Sequence, residues 1–266
     1  SQPQAMAELT SEIREYAETP DRFAPVVAGA SVSRFDDGRV CVIQGQSWAS
    51  VCAVAVGEDD VPSLVAQVHE LVAPEKHCTW WLGPSVRPGD LVDRLLAHGL
   101  SMPRDGVALV KALALVDPPP PMPAEIQVRQ IETFDDFVAA RDIQWEAFGV
   151  PDERRAEQRA GLRDDFDESM TLGIPVGFIA TLDGRPAATA LAIPSERGVF
   201  LIAGSTAPWA RGHGLYRALV RARWDLAVER GTPALVTQAD PGTSYPILRR
   251  LGFQDVCDIN RLEDQR

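Results

Sequence analysis

Tyrosine, histidine and cysteine are scarce in this chain, with 3 Tyr, 4 His and 4 Cys among 266 residues. The cysteines, Cys41, Cys52, Cys78 and Cys257, form no CxxC pair and lie in apolar, strand-like runs. That pattern reads as buried thiols in a reducing compartment, not as a disulfide framework. His69, His77, His98 and His213 are scattered without HExxH or other ligand spacing, so no metal is expected. Basic residues are outnumbered, 26 Lys+Arg against 38 Asp+Glu for a net charge of −12. A nucleic-acid binder needs a cationic surface to meet phosphates, and that class is excluded. An acidic surface keeps a protein soluble and weakly steers cationic ligands such as amines. No apolar run approaches the roughly 18 residues of a membrane span, and the opening S-Q-P-Q-A-M lacks the basic-then-apolar pattern of a secretory signal. The expectation is a soluble, cytoplasmic protein without nucleic-acid or membrane partners, a monomer or homodimer.

What the chain does have is 45% hydrophobic residues over a length that suits two domains. The clearest boundary is D-P-P-P-P-M-P at 117–123, whose prolines lack N–H donors and hold neither a helix nor a central strand. The division expected is a domain over 1–116, a linker over 117–124 and a second domain over 125–266. In the first, periodicity predicts a helix over 6–17, a hairpin over 38–57, a helix over 61–72, a strand over 78–82, a helix over 90–98 stopped by Gly99, and a strand over 107–116. In the second it predicts a strand over 125–131, helices over 134–148 and 152–168, and a hairpin of 176–182 and 187–193 about an Asp-Gly turn. A strand over 199–206, a helix over 215–230 stopped by Gly231, a strand over 234–238, a short helix over 245–251 and a strand over 256–262 follow. The similar order on both sides of the linker, and two short helices ending in Gly plus a large apolar residue (L-L-A-H-G-L and L-R-R-L-G-F), suggest duplication.

The stretch at 199–220, V-F-L-I-A-G-S-T-A-P-W-A-R-G-H-G-L-Y-R-A-L-V, reads as a buried strand, a loop with two glycines and an amphipathic helix. A glycine-rich turn feeding a helix start offers unpaired N–H groups and positive dipole character to an anion such as pyrophosphate. It has Arg217 where the dinucleotide fingerprint has its third glycine, and it lacks the Lys-Ser/Thr ending of a P-loop.

In its place the stretch resembles the GNAT superfamily of acyl-CoA-dependent N-acyltransferases, whose mark is a strand with a bulged T-x-P exit and then R-G-x-G-x-G/A opening a helix. Thr206, Pro208, Arg211, Gly212, Gly214 and Tyr216 stand in those places, with Tyr216 replacing the usual small residue. A second family mark, a short helix ending L-G-F, is matched by Leu251, Gly252 and Phe253. The resemblance implies an α/β (α+β) fold of two GNAT-like domains, each a mixed, mostly antiparallel twisted sheet flanked by helices. It also implies acetyl-CoA as co-substrate. A bulge near Gly204, Ser205 and Thr206 would leave main chain free for the pantetheine amides. Arg211, Gly212, His213, Gly214, Leu215, Tyr216 and Arg217 would surround the pyrophosphate, with Arg211 supporting phosphates or capping the loop, and His213 adding charge or simply facing solvent.

Many family members carry an acid tyrosine five residues before the Phe of L-G-F, where this chain has Leu248. Tyr245, one turn earlier, is the substitute candidate with Ser244 beside it; its other reading is a packed aromatic before Pro246. No carboxylate stands out as base, and Glu146 reads as surface as readily as site. The first half resembles a degenerate GNAT-like copy whose nearest counterpart of the cradle, 83–91, has two prolines among its loop positions. That half is expected to have lost acyl-CoA binding and to help form the acceptor cleft, with Trp80 and Trp81 in the cleft or in the strand's own core. The function expected is an N-acetyltransferase acting on a primary amine of a small molecule or peptide by direct attack in a ternary complex. The alternatives are an acyl-CoA-binding sensor or pseudoenzyme without the usual tyrosine, and an acyltransferase with a larger donor.

Overall fold

The structure, a computed structural model, describes residues 5–266. In chain order its first elements are α1 (Ser11–Glu18), β1 (Ser33–Asp36), β2 (Cys41–Gln44), β3 (Trp48–Cys52), α2 (Val61–Leu71), β4 (His77–Leu82), α3 (Leu91–Ala97) and β5 (Leu109–Leu115). After the proline segment come β6 (Ile126–Gln130), α4 (Phe134–Ala147), α5 (Asp152–Arg159), α6 (Leu162–Leu172), β7 (Val176–Leu182), β8 (Arg185–Ser195) and β9 (Gly198–Thr206). The chain closes with α7 (Leu215–Glu229), β10 (Leu235–Ala239), α8 (Ser244–Arg250) and β11 (Gln254–Glu263).

The elements gather into two compact units. One comprises 8–114 with 236–266, and the other 115–235 with the segment up to Ala7. The edge lies between 114 and 115, so the proline segment 117–124 goes with the second unit, while 236–266, expected with the second domain, packs with the first. The cause is strand pairing. β11 lies between β4 and β5, antiparallel to both, with Asn260 opposite Leu82 on one side and Leu109 on the other. Two full ladders of backbone bonds place it there.

In this first unit the strand order is β1-β2-β3-β4-β11-β5-β10. β3 and β4 run parallel, joined through α2, and the core gathers Leu64, Val68, Trp80, Leu91, Leu95 and Leu262, all 0–1% exposed. Each such side chain contributes roughly 1.5–3 kcal/mol through burial. β1 lies outside the expected hairpin. Its turn is fixed by carboxylates, with Asp36 accepting from the Gly38 N–H and Asp37 from the Arg39 and Val40 N–H groups, a local device that periodicity does not register. α1 begins at Ser11, not residue 6, because the Thr10 hydroxyl caps it by accepting from the Ile13 N–H. The four cysteines are free thiols, three buried and Cys257 half-buried.

The second unit is a meander, β6-β7-β8-β9, every neighbour antiparallel. Its long central strand β8 is lined with alanine, and Ala187, Ala188, Ala190 and Ala192 are fully buried, so α4 and α7 both approach it closely. The single helix expected over 152–168 is two, α5 and α6, broken at Ala160 and Gly161, where glycine is the poorest non-proline helix former.

Candidate functional site

The site grows out of β9. Along most of its length β9 pairs regularly with β8, but Thr189 faces Ser205 while Leu191 faces Ile202. Ala203 and Gly204 therefore oppose Ala190 alone, which is a β-bulge. Ala203 has φ +51, a left-handed backbone that costs a non-glycine residue about 1–3 kcal/mol and persists only where its surroundings impose it. Both bulge residues are exposed, although Leu201 before them and Ser205 after them are buried. A strand interior thus presents bare main chain. Thr206 ends β9 half-buried.

Beyond the bulge, Ala207 donates to Ala187 O at 2.8 Å, and a single 3-10 turn at Pro208–Ala210 redirects the chain. Arg185, at the start of β8, lies 4.0 Å over the Trp209 ring and braces this turn. Gly212 and Gly214 adopt φ +82 and +86, conformations that exclude most side chains, and α7 begins at once. Gly214 is its N-cap and supplies no side-chain cap. Among the described residues, no N–H from Gly212 through Arg217 finds an acceptor. Six consecutive backbone donors are therefore left without a protein acceptor at the positive end of a 15-residue helix, which is an anion-binding arrangement. Arg211, His213 and Arg217 are exposed around it, and none has an ion-pair partner among the described residues. In a chain of net charge −12, Arg211 and Arg217 make a local cationic rim.

Leu215 is buried under the first turn of α7, while Tyr216 is half-buried and packs its ring onto β9, 3.5 Å from where a Cβ on Gly204 would stand. Two turns on, Arg223 is 2% exposed. Its Nε donates to Leu219 O at 3.0 Å and its Nη1 to Leu191 O at 3.2 Å. Burial lowers its pKa to about 10, and burial likewise raises that of the Tyr216 phenol, against the pull of Arg223. Pattern reading along 199–220 could not find Arg223. It looks like one polar position on an apolar helix face, and only its burial sets it apart.

Ser244 and Tyr245, the expected catalytic hydroxyls, lie on α8 in the first unit, whereas the bulge and cradle belong wholly to the second. The Tyr245 hydroxyl donates to Asp255 Oδ1 at 2.8 Å, and Lys111 sits 5.8 Å over its ring. The hydrogen bond to Asp255 is the main reason the phenol pKa is raised; Arg249 and Lys111 pull the other way. Leu248 is fully buried, so this position of α8 is part of the core. Ser244 is half-buried at the helix start. Glu146 is exposed. Trp80 is a core residue, fully buried with Nε1 donating to Asp264 at 3.1 Å. Trp81 is half-buried, bonded to Ser50 and covered by Arg261.

Besides the segment 83–91, which leads from β4 into α3, the turn from β3 to α2 resembles the cradle turn in its backbone. There Ala53 repeats the left-handed backbone, φ +54. Its continuation is already paired: Val56 donates to Arg87 O at 3.1 Å and Arg87 to Val54 O at 2.9 Å. Ahead of α2 stand Gly57, Glu58, Asp59 and Asp60, with Pro62 in the first turn.

No family model and no curated protein matches the chain. Solved structures do. A GCN5-related N-acetyltransferase from Kribbella flavida is 18% identical, with 88% of this chain and 90% of that chain covered at a TM-score of 0.64. A tandem GNAT protein from the clavulanic acid biosynthesis pathway is 15% identical over 95% of this chain and 93% of its own, TM-score 0.60. A GCN5-related N-acetyltransferase from Sphaerobacter thermophilus is 18% identical, covering 85% and 80%, TM-score 0.53. At such identities the likeness speaks for architecture, and the architecture is the tandem GNAT fold.

Proposed function

Taking the tandem GNAT fold as premise, we propose that the protein is an acyl-CoA-dependent N-acetyltransferase whose donor site is the bulge and cradle of the second unit. The observation that carries this reading is the pairing of two features on one strand-turn-helix segment. Exposed main chain at Ala203 and Gly204 offers hydrogen bonds to the amides of a pantetheine arm. Six free N–H groups from Gly212 to Arg217, rimmed by Arg211, His213 and Arg217, offer a seat for its pyrophosphate. The order along the segment, bulge first and cradle after it, suits a ligand with amides at one end and phosphates at the other. A metal has no part in this reading, and among the described residues no cluster of ligating side chains exists.

Chemistry in such a site is mainly positioning. A neutral primary amine of a small molecule or peptide attacks the thioester carbon, the oxyanion is met by a main-chain N–H of the bulged strand, the nitrogen gives up a proton to water, and the C–S bond breaks as the thiolate takes a proton, leaving the amide and free thiol. Tyr245 is the proton donor in this proposal. Its hydroxyl is bonded to Asp255, so transfer to a thiolate first requires that bond to open. Ser244 is the second hydroxyl within the same turn. A second reading, an acyl-CoA-binding sensor, draws on the same facts, since Leu248 is buried and the Tyr245 proton is already held by a carboxylate.

Isothermal titration with coenzyme A tests the donor site; absence of binding sinks it. A screen of primary amines, read by release of free thiol from acetyl-CoA, then separates enzyme from sensor.

A further inference from the structure

The bulge on β9 is backed from the α7 side by two residues that a phosphate cradle does not require. Tyr216 fills a place where the motif has a small residue, and its ring lies against Gly204. Arg223 follows seven positions later on the same helix face. It has no carboxylate in ion-pairing range among the described residues. Instead its guanidinium bonds two main-chain oxygens, and one of these, Leu191 O, belongs to the β8 residue at which the β8–β9 register resumes beyond the bulge.

A buried guanidinium without a counter-ion is an expensive choice for a helix face otherwise lined by Leu215, Leu219, Ala222 and Leu226. Apolar residues of similar volume usually give equal or better stability there. Consistency between pattern and environment breaks at Arg223, and such breaks concentrate at functional sites. The bulge itself is strained at Ala203 and needs something to hold it.

We propose that Tyr216 and Arg223 are positioning residues, a phenol and a guanidinium that together prop the β9 bulge and hold the exposed main chain of Ala203 and Gly204 in the shape that receives the acyl donor. The ring sets the height of the strand at Gly204. The guanidinium fixes the neighbouring strand through Leu191. The proposal rests on the donor-site reading above for its consequence, but not for its geometry.

The test uses the full chain and three variants, Arg223→Met, Arg223→Lys and Tyr216→Ala, the last removing the ring that lies against Gly204. Thermal midpoint, backbone hydrogen exchange over 203–206, and KM and kcat with acetyl-CoA are measured on each. Arg223→Met is expected to melt at or above the parent temperature, yet to exchange about 10-fold faster over 203–206 and to raise the KM for acetyl-CoA about 10-fold, with Arg223→Lys recovering part of both. A residue that merely fills space would shift the melting temperature and leave exchange at the bulge unchanged; that result overturns the proposal. If Arg223→Met does not fold, Arg223→Lys and Tyr216→Ala decide by the same readout: faster exchange over 203–206 in both supports the prop, and unchanged exchange overturns it. If the parent protein binds no coenzyme A, the donor-site reading fails, while the exchange rates still support or overturn the prop.

Discussion

Two strand-to-helix turns in this chain carry a left-handed alanine at or near the strand's end, and they differ in what they leave open. After β9, the left-handed Ala203 stands beside exposed main chain, two positive-φ glycines and unpaired helix N–H groups. After β3, the left-handed Ala53 leads into main chain that Arg87 already pairs. Three acidic residues and a proline then stand where the cradle would be. Negative side chains at a helix N-terminus satisfy its dipole from within, and they repel a phosphate. The same backbone device has thus been kept in both units, satisfied by the protein itself in one and left for a ligand in the other. Residues 83–91 acquire a role in this comparison. Arg87 supplies the pairing after β3, and the Ser85 N–H and hydroxyl are held by Glu18 at 2.7 and 2.8 Å.

The most direct way to break the comparison is to close the open turn. In the double variant Gly212→Val and Gly214→Val, β-branched side chains meet φ near +80, and the N–H groups lose their aim. Losing two or three charge-assisted hydrogen bonds at about 1.5–3 kcal/mol each predicts a fall in coenzyme A affinity of about 1,000-fold by titration. The parent should bind one coenzyme A per chain. A stoichiometry of two, or binding that survives in the double variant, would show that the β3 turn is not closed after all.

A second effect separates binding from chemistry. Tyr245→Phe is expected to lower kcat about 100-fold, within the usual range for a lost general acid, and to leave coenzyme A affinity unchanged. Because the bond to Asp255 raises the phenol pKa above its ordinary value, the proton stays on the tyrosine to higher pH than in a free phenol. The alkaline fall in parental kcat should therefore lie above the ordinary tyrosine range and be absent from the variant. Equal pH profiles for the two would remove Tyr245 from the reaction and favour the sensor.

Smaller again is the effect of charge alone. Arg211→Glu with Arg217→Glu gives the open turn an acidic rim like that of 58–60. The two arginines are exposed, so each reversal is worth on the order of 1 kcal/mol before screening. The prediction is about a 10-fold to 30-fold loss of coenzyme A affinity at low salt that shrinks at high salt. A salt-independent loss would point to collapse of the loop instead.

Much of this was legible in the residues. The order of elements, the T-x-P exit, the R-G-H-G turn and the L-G-F helix end all follow from local rules, since positive φ, helix starts and helix stops are written in neighbouring side chains. What escaped was non-local. Nothing along 254–263 announces that this strand pairs with β4 and β5, because an alternating strand carries no label for its partner. The filling of the β3 turn by Arg87 depends on a contact more than thirty positions away. Arg223 is informative only once its burial is known, and the bond from Tyr245 to Asp255 joins residues ten apart across a helix end.

The last prediction asks whether the closed unit is a scaffold. Trp80 sits at the centre of the first unit, fully buried, with its indole N–H on Asp264 Oδ2; His69 Nε2 lies 2.9 and 3.0 Å from the two oxygens of the same carboxylate. Trp80→Phe keeps an aromatic ring but removes the donor and leaves a small void. A buried carboxylate short of one hydrogen bond costs about 1–3 kcal/mol, so the variant should unfold at lower denaturant concentration by roughly 2 kcal/mol of stability. Coenzyme A affinity and the KM for acetyl-CoA should stay at parental values in the folded variant, because the cradle belongs to the other unit. If affinity instead fell in step with stability, the donor site would depend on the packing of the first unit, and the distinction between a self-satisfied turn and an open one would no longer be enough to assign their tasks.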